Sequence, residues 1–216
     1  LCNNAQLKIP IVMISIYQLK PRFQSLLRPL VGGLAASGIT ANAVTVLAML
    51  ISLLLATWLY QSGPTQPALF LLLPAWMFLR MALNAIDGML AREFGQKSPL
   101  GAYLNELTDV FSDAALYLPF VQISPFGWGC VGSLIFLSAV SEMAGALGPM
   151  VGAPRQYDGP MGKSDRAFLF GALGLWLGLA GSLPEWLFWL LPVASSAIVL
   201  NIINRIRSGL AAIPRP

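Results

Sequence analysis

The sequence predicts an all-α integral membrane protein: six transmembrane helices preceded by an N-terminal amphipathic interfacial helix. Three observations carry that expectation. Hydrophobic residues make up 56% of the 216-residue chain and charged residues only 10%, against about 25% charged in an ordinary soluble domain. Mean hydropathy is +0.71, which leaves too little polar surface to cover a soluble globule. The apolar residues also gather into runs of about 20, the length that crosses a hydrocarbon core of about 30 Å.

The elements follow in order. Residues 1–39 form an N-terminal segment. Its apolar run IPIVMISI is too short to span and is followed by no clear cleavage site, so no signal peptide is expected. The next stretch, SIYQLKPRFQSLLRPLVGGL, mixes Lys20, Arg22 and Arg28 with Ile16, Phe23, Leu26, Leu27 and Leu30. That pattern suits a helix lying in the membrane interface. Hydropathy and helix breakers then place spans at 40–61, 67–92, 99–122, 128–152, 164–182 and 184–207, within one domain covering 40–210. No internal repeat or low-complexity linker divides the chain.

Lys and Arg set the expected orientation. Lys8, Lys20, Arg22 and Arg28 precede the first span; Arg92 and Lys97 flank the second connection; Arg155, Lys163 and Arg166 lie at the fourth; Arg205, Arg207 and Arg215 follow at the end. The other connections, QSGPTQ, QISPFGWG and GSLPE, hold neither residue type. Both termini and the charged loops are therefore expected in the cytoplasm. The net charge of +4 is mostly this topology signal, with some attraction to anionic headgroups. No nucleic-acid motif accompanies it. The chain has no histidine, and its two cysteines, Cys2 and Cys130, fall at opposite membrane faces. Neither a disulfide nor a zinc site is expected.

Five of the nine carboxylates fall between Asn84 and Asp113. In the second span Arg80, Asn84 and Asp87 share one helical face, and in the third Asn105, Asp109 and Asp113 recur every fourth residue. Two antiparallel helices joined by GQKSP would aim these faces at each other. Carboxylates within a bundle must be paired or must bind cations. Three readings meet that demand: an ion-pair network, a cation or proton pathway, and a site for Mg²⁺ or Mn²⁺, which take hard oxygen ligands. Gly88 and Gly101 favour the metal site, since small facing residues admit a bulky substrate. The polar groups gather near one membrane face, whereas a conduction path would continue through the other half.

These residues resemble the CDP-alcohol phosphotransferases (CDP-alcohol phosphatidyltransferases), whose motif is D-x-x-D-G-x-x-A-R-x8-G-x3-D-x3-D. The chain has Asn84-x-x-Asp87-Gly88-x-x-Ala91-Arg92, then eight residues, then Gly101-x3-Asn105-x3-Asp109. Every spacing matches, and the two departures are both Asp to Asn. The resemblance implies metal-dependent transfer of a phosphatidyl group from CDP-diacylglycerol to the hydroxyl of a small polar alcohol, with release of CMP. It implies two Mg²⁺ or Mn²⁺ ions near Asn84, Asp87, Asn105 and Asp109, with Asp109 as general base; Asp113, one turn beyond the motif, is a candidate further metal ligand. It implies CDP contacts from Asp87, Gly88, Ala91, Arg92 and Gly101, joined by Asn42 and Thr45 in the TANAVT stretch. It also implies a homodimer in a bacterial inner membrane, with the active site facing the cytoplasm.

Each Asn removes a negative charge, so the second ion binds weakly or a nearby acid (Asp113, Glu106 or Glu142) replaces the missing ones. Glu142 is equally a candidate partner for Arg80. For the acceptor, the loop APRQYDGPMGKSDRA offers Arg155, Lys163, Ser164 and Arg166, with Glu142 nearby; Lys163 and Ser164 open a helix whose N-terminus suits an anionic group. The same charges also serve topology alone. The alternatives left open are a CDP-choline- or CDP-ethanolamine-type enzyme acting on diacylglycerol, an inactive member, and a cation-conducting protein.

Overall fold

The computed structural model describes residues 16–213, with side chains from residue 23 onward. Cys2, Lys8, Arg215 and most of the IPIVMISI run lie outside the described residues. The side chains of Ile16, Lys20 and Arg22 do too.

Seven helices follow one another: α1 (Ile16–Ala36), α2 (Ala41–Ser62), α3 (Leu72–Glu93), α4 (Pro99–Tyr117), α5 (Trp128–Ala146), α6 (Lys163–Ala180) and α7 (Leu190–Ala211). Among the described residues there is no strand. The local sequence explains where they begin. The Thr40 hydroxyl accepts from the Ala43 N–H at 3.2 Å, and the Ser98 hydroxyl from the Gly101 N–H at 3.0 Å, with Pro99 in the first turn. At α6 the Asp165 carboxylate accepts from the Gly162 N–H at 3.0 Å. Short 3₁₀ turns at Pro67–Leu71 and Glu185–Trp189 lead into α3 and α7, and another at Leu118–Gln122 prolongs α4. The expected spans therefore match the observed elements closely.

Four of these elements are long and apolar enough to cross a membrane: Ala41–Ser62, Pro67–Glu93, Trp128–Val151 and Glu185–Ala211. The chain is an integral membrane protein. The other two of the six expected spans, α4 and α6, are full helices of 19 and 18 residues. They fall short in apolarity because α4 carries Glu106, Asp109 and Asp113, and α6 carries Lys163, Asp165 and Arg166.

One half of the bundle is a dry core in which the Tyr117 and Phe170 rings stack at 3.9 Å and Phe120 meets Phe170 edge-on at 5.2 Å. At that end Gln122 Nε2 donates to the Tyr60 carbonyl at 2.8 Å. A smaller apolar cluster of Val31, Val44, Ile86, Met89 and Leu90 ties α1 to α2 and α3 at the other end. There Arg28 pairs with Glu93 at 3.1 Å, and the carboxylate holds that guanidinium above its ordinary value. The glycines of GALGLWLGLAG serve packing within the chain. A Cβ on Gly174 would meet Leu73 Cδ2 at 3.1 Å, and one on Gly178 would meet Leu71 Cγ at 2.6 Å. Close approach of α6 to Leu73 of α3 and to Leu71 in the 3₁₀ turn before it favours glycine at both positions.

Candidate active site

The antiparallel α3–α4 pair brings the two polar faces together, as their fourfold spacing predicts. Arg80, buried on α3, donates from Nη2 to Asp109 Oδ1 at 3.0 Å and to the Asp109 carbonyl at 3.2 Å, and from Nη1 to Asp113 Oδ1. One turn along, Asn84 Nδ2 donates to Asp109 Oδ1 at 3.2 Å. Lys163, at the start of α6, forms an ion pair with Asp109 Oδ2. Asp109 is thus held by a guanidinium, an amide and an ammonium at once. Asp113 is committed to Arg80.

Asp87 sits beside this group, close enough to Asp109 and Lys163 for each to act on it electrostatically. Thr45, from α2, places its hydroxyl 2.7 Å from Asp87 Oδ2 and 3.0 Å from the Ala41 carbonyl. The predicted small residues are where space is needed. A Cβ on Gly101 would lie 2.8 Å from Asn42 Oδ1 and 3.0 Å from Ser98 Oγ, and one on Gly88 would lie 2.8 Å from an Arg92 Nη. Thr45 thus meets Asp87, Asn42 lies at Gly101 and Arg92 lies at Gly88, near the first turns of α2 and α4 and the last turns of α3, while Ala91 packs against the apolar cluster of α1, α2 and α3. Asn105 is on the same face of α4 as Asp109, exposed one turn earlier. Among the described residues no three carboxylates or thiolates converge as a ready-made metal cage.

A second charged centre lies one turn further along the same two helices, at Glu106 of α4 and Arg166 of α6. Its hub is Glu142, buried on α5. Arg166 reaches it at 2.7 Å, Arg155 at 3.3 Å and Arg205 of α7 at 3.4 Å. Arg155 also pairs with Glu106. Arg205 donates to the Ser141 carbonyl at 2.6 Å, and the Ser141 hydroxyl donates to Asn201 Oδ1 at 2.8 Å. Partial burial presses the Arg155 guanidinium below its ordinary value. Four donors in this centre stay buried without a partner: Nε of Arg155, Arg166 and Arg205, and Nδ2 of Asn201. Unmet buried donors are rare and call for an acceptor.

Two expectations are corrected here. Glu142 is not the partner of Arg80, which is saturated by Asp109 and Asp113. Nor does Glu106 or Glu142 stand in for a missing acid beside Asp87, since arginines engage both. The importance of Arg205 and Asn201 was missed, although their i, i+4 spacing inside the apolar last span was the available signal. Ser164 is exposed beside Lys163.

Between α3 and α6 runs a cavity of about 640 Å³. Its polar end is formed by Arg80, Asn84, Asp113 and Lys163, and Met77, Phe78 and Leu175 line its apolar length. One end offers charge, and the rest offers a surface for hydrocarbon.

Residues 38–200 match the CDP-alcohol phosphatidyltransferase family. The chain is 46% identical over 200 residues to inner membrane protein YnbA of Escherichia coli, covering 91% of this chain and 97% of that protein. It is 25% identical to phosphatidylinositol phosphate synthase of Mycobacteroides abscessus over 88% of each chain. Among solved structures, phosphatidylinositol phosphate synthase of Mycobacterium tuberculosis with CDP-DAG bound superposes with a TM-score of 0.69 at 21% identity, over 87% of this chain and 96% of that one. The same protein in complex with manganese and citrate gives a TM-score of 0.69 over 87% and 92%.

Proposed function

The chain belongs to the CDP-alcohol phosphatidyltransferase family, and from that premise we propose that it transfers a phosphatidyl group from CDP-diacylglycerol to a phosphate-bearing polyol, releasing CMP. The observation that carries this reading is the α3–α6 cavity. It runs from Arg80, Asn84 and Lys163, the three side chains that hold Asp109, along an apolar path suited to acyl chains. The CDP-DAG bound to the tuberculosis relative fits the same reading.

The cleft of Asn42, Thr45, Gly88, Arg92 and Gly101 receives the cytidine and diphosphate. Asp109 takes the proton from the acceptor hydroxyl. That oxygen bonds to the phosphatidyl phosphorus as the bond from phosphorus to the CMP oxygen breaks. As the donor enters, Lys163 shares its ammonium between Asp109 and the diphosphate, which loosens its hold on Oδ2 and lets the carboxylate accept the proton. Arg80 keeps Asp109 and Asp113 in place throughout.

A divalent ion, Mg²⁺ or Mn²⁺, fits the oxygen donors present: Asp87 and Asp109 would hold it, with the amide oxygens of Asn84 and Asn105. When bound, it supplies charge neutralisation for the diphosphate and the departing CMP. The manganese complex of the tuberculosis relative supports a divalent ion.

For the acceptor, the unused Nε–H donors of Arg155, Arg166 and Arg205 supply a place for phosphate, and Lys163 and Ser164 stand between that centre and Asp109. The named phosphatidylinositol phosphate synthase relative makes inositol phosphate the first candidate. All six helices α2–α7 cross the membrane in this reading. Helices α4 and α6 turn their charges inward, and α1, with Leu26 and Leu30 exposed, lies in the interface as part of the 1–39 segment. The Lys/Arg bias puts the site end, and both termini, on the cytoplasmic side of an inner membrane. The functional unit is a homodimer of the 40–210 domain.

The test is CMP release by purified protein with CDP-diacylglycerol, Mg²⁺ or Mn²⁺, and a panel of inositol phosphate, glycerol 3-phosphate, inositol, serine and glycerol. Metal-dependent release with a phosphorylated acceptor, lost in Asp109→Asn and with a chelator, is the expected result. Release with serine or glycerol alone would overturn the acceptor assignment. Activity with a CDP-choline donor and none with CDP-diacylglycerol would overturn the donor.

A further inference from the structure

Charge counting around Asp109 leads past the transferase reading, on which the following rests. Asp109 and Asp113 are in direct contact with two fixed cations, Arg80 and Lys163, and a third carboxylate, Asp87, lies beside them. Arg92 lies over Gly88 at the edge of the same cleft. A CDP-linked donor adds two negative charges at its diphosphate. With Arg92 counted, one divalent ion then makes the occupied centre neutral. A second ion would leave two positive charges in excess.

The position of Lys163 says what replaces that second ion. It opens α6, its backbone fixed by the Asp165–Gly162 cap, and its ammonium reaches Asp109 Oδ2 across the mouth of the α3–α6 cavity. Meanwhile positions 84 and 105 present neutral amides, so the ligands that would attract another dication are weak. Asn84 even turns its amide nitrogen to Asp109 at 3.2 Å, in the manner of a donor to a carboxylate. Asp113, the nearest further acid, is taken by Arg80.

We propose that this site works with a single divalent cation, and that the Lys163 ammonium supplies to Asp109 and the donor diphosphate the positive charge a second ion would otherwise bring. Lys163 is then a donor-binding residue. The pair Asn84 and Asn105 is matched to it: acids at both positions together with Lys163 would overcharge the site with carboxylate until a second metal entered.

The test counts metal directly. Purified protein in detergent is titrated with Mn²⁺ in the presence of CDP-diacylglycerol and no acceptor, and free Mn²⁺ is read by its electron paramagnetic resonance. One Mn²⁺ per chain, without the broadening of a coupled pair, is expected. Lys163→Ala should raise the donor Kd about tenfold at saturating Mn²⁺, the size of one charge-assisted contact, and Lys163→Arg should restore it. Lys163 is only partly buried at a helix start, so the alanine variant keeps the fold; a matching gel-filtration profile checks this. The triple variant Asn84→Asp, Asn105→Asp, Lys163→Ala should bind a second Mn²⁺. Two Mn²⁺ ions per wild-type chain, or a donor Kd unchanged by Lys163→Ala, would overturn the proposal while leaving the transferase reading intact. Failure of the wild type to bind CDP-diacylglycerol at all would overturn that reading instead.

Discussion

Removing the Glu142 carboxylate tests the second charged centre most severely. Its side chain is 11% exposed, and it is the carboxylate partner of Arg166 and Arg205, whose side chains are 1% and 3% exposed. Arg155 retains Glu106, but the other two would keep only backbone carbonyls, Met161 for Arg166 and Ser141 for Arg205. Breaking a buried pair from one side costs about 3–5 kcal/mol, because an uncompensated charge is left behind. For a chain of this size that is a fall in Tm of about 6–20 °C. Thermal unfolding of Glu142→Ala in detergent should show it, and Glu142→Gln, which keeps one acceptor oxygen, should fall less. Millimolar inorganic phosphate should then raise the Tm of Glu142→Ala more than that of the wild type, since an anion can occupy the vacated place among the guanidiniums. A Tm for Glu142→Ala within about 2 °C of the wild type, below the shift that even ~1 kcal/mol produces, would refute the claim that Glu142 holds this centre together.

Three further outcomes follow from the cleft and the groove. Gly101→Val puts branched carbon where even a Cβ would approach Asn42 Oδ1 to 2.8 Å; CMP affinity, measured by calorimetry, should fall at least about tenfold, the scale of one lost polar contact. Thr45→Val removes the hydroxyl 2.7 Å from Asp87 Oδ2. It should weaken Mn²⁺ binding and CMP release together by about tenfold or more, as loss of a group that orients a metal ligand does. Gly171→Phe fills the cavity from the α6 side, where a Cβ has only ordinary contacts with Met77 and Pro74. It should raise KM for a long-chain donor while leaving CMP binding unchanged, and an equal effect on both would show that the groove does not hold acyl chains.

The helices and the first charged centre were legible in the sequence for local reasons. Apolar runs of membrane-spanning length, punctuated by Gly63, Pro67, Pro99 and the GSLPE turn, place α2–α7 within a few residues. The fourfold spacing of Arg80 with Asn84 and of Asn105, Asp109 and Asp113 determines which side chains share a face. The short GQKSP connection then forces the two faces together. Composition alone made the chain a membrane protein, since no arrangement of these residues could cover it with polar surface. The second centre was legible only in part. The sequence groups Arg155, Arg166 and Glu142, but not Glu106 and Arg205, because the members come from four helices and a loop: Glu106 on α4, Glu142 on α5, Arg155 in the following loop, Arg166 on α6 and Arg205 on α7.

Sequence by itself therefore determined the all-helical membrane class, the helices, the family and which motif residues share a helix face. Tertiary structure decided which acid answers which base. Arg80 goes to Asp109 and Asp113 rather than to Glu142, Lys163 comes to Asp109, and three arginines close on Glu142. It also directed Gly174 to α3 and Gly178 to the 3₁₀ turn before it. The physical reason is that periodicity specifies a face on each helix but not the rotation and neighbours of that helix in the bundle. Where long side chains from several helices can reach one another, the packing of the apolar faces selects the pairs.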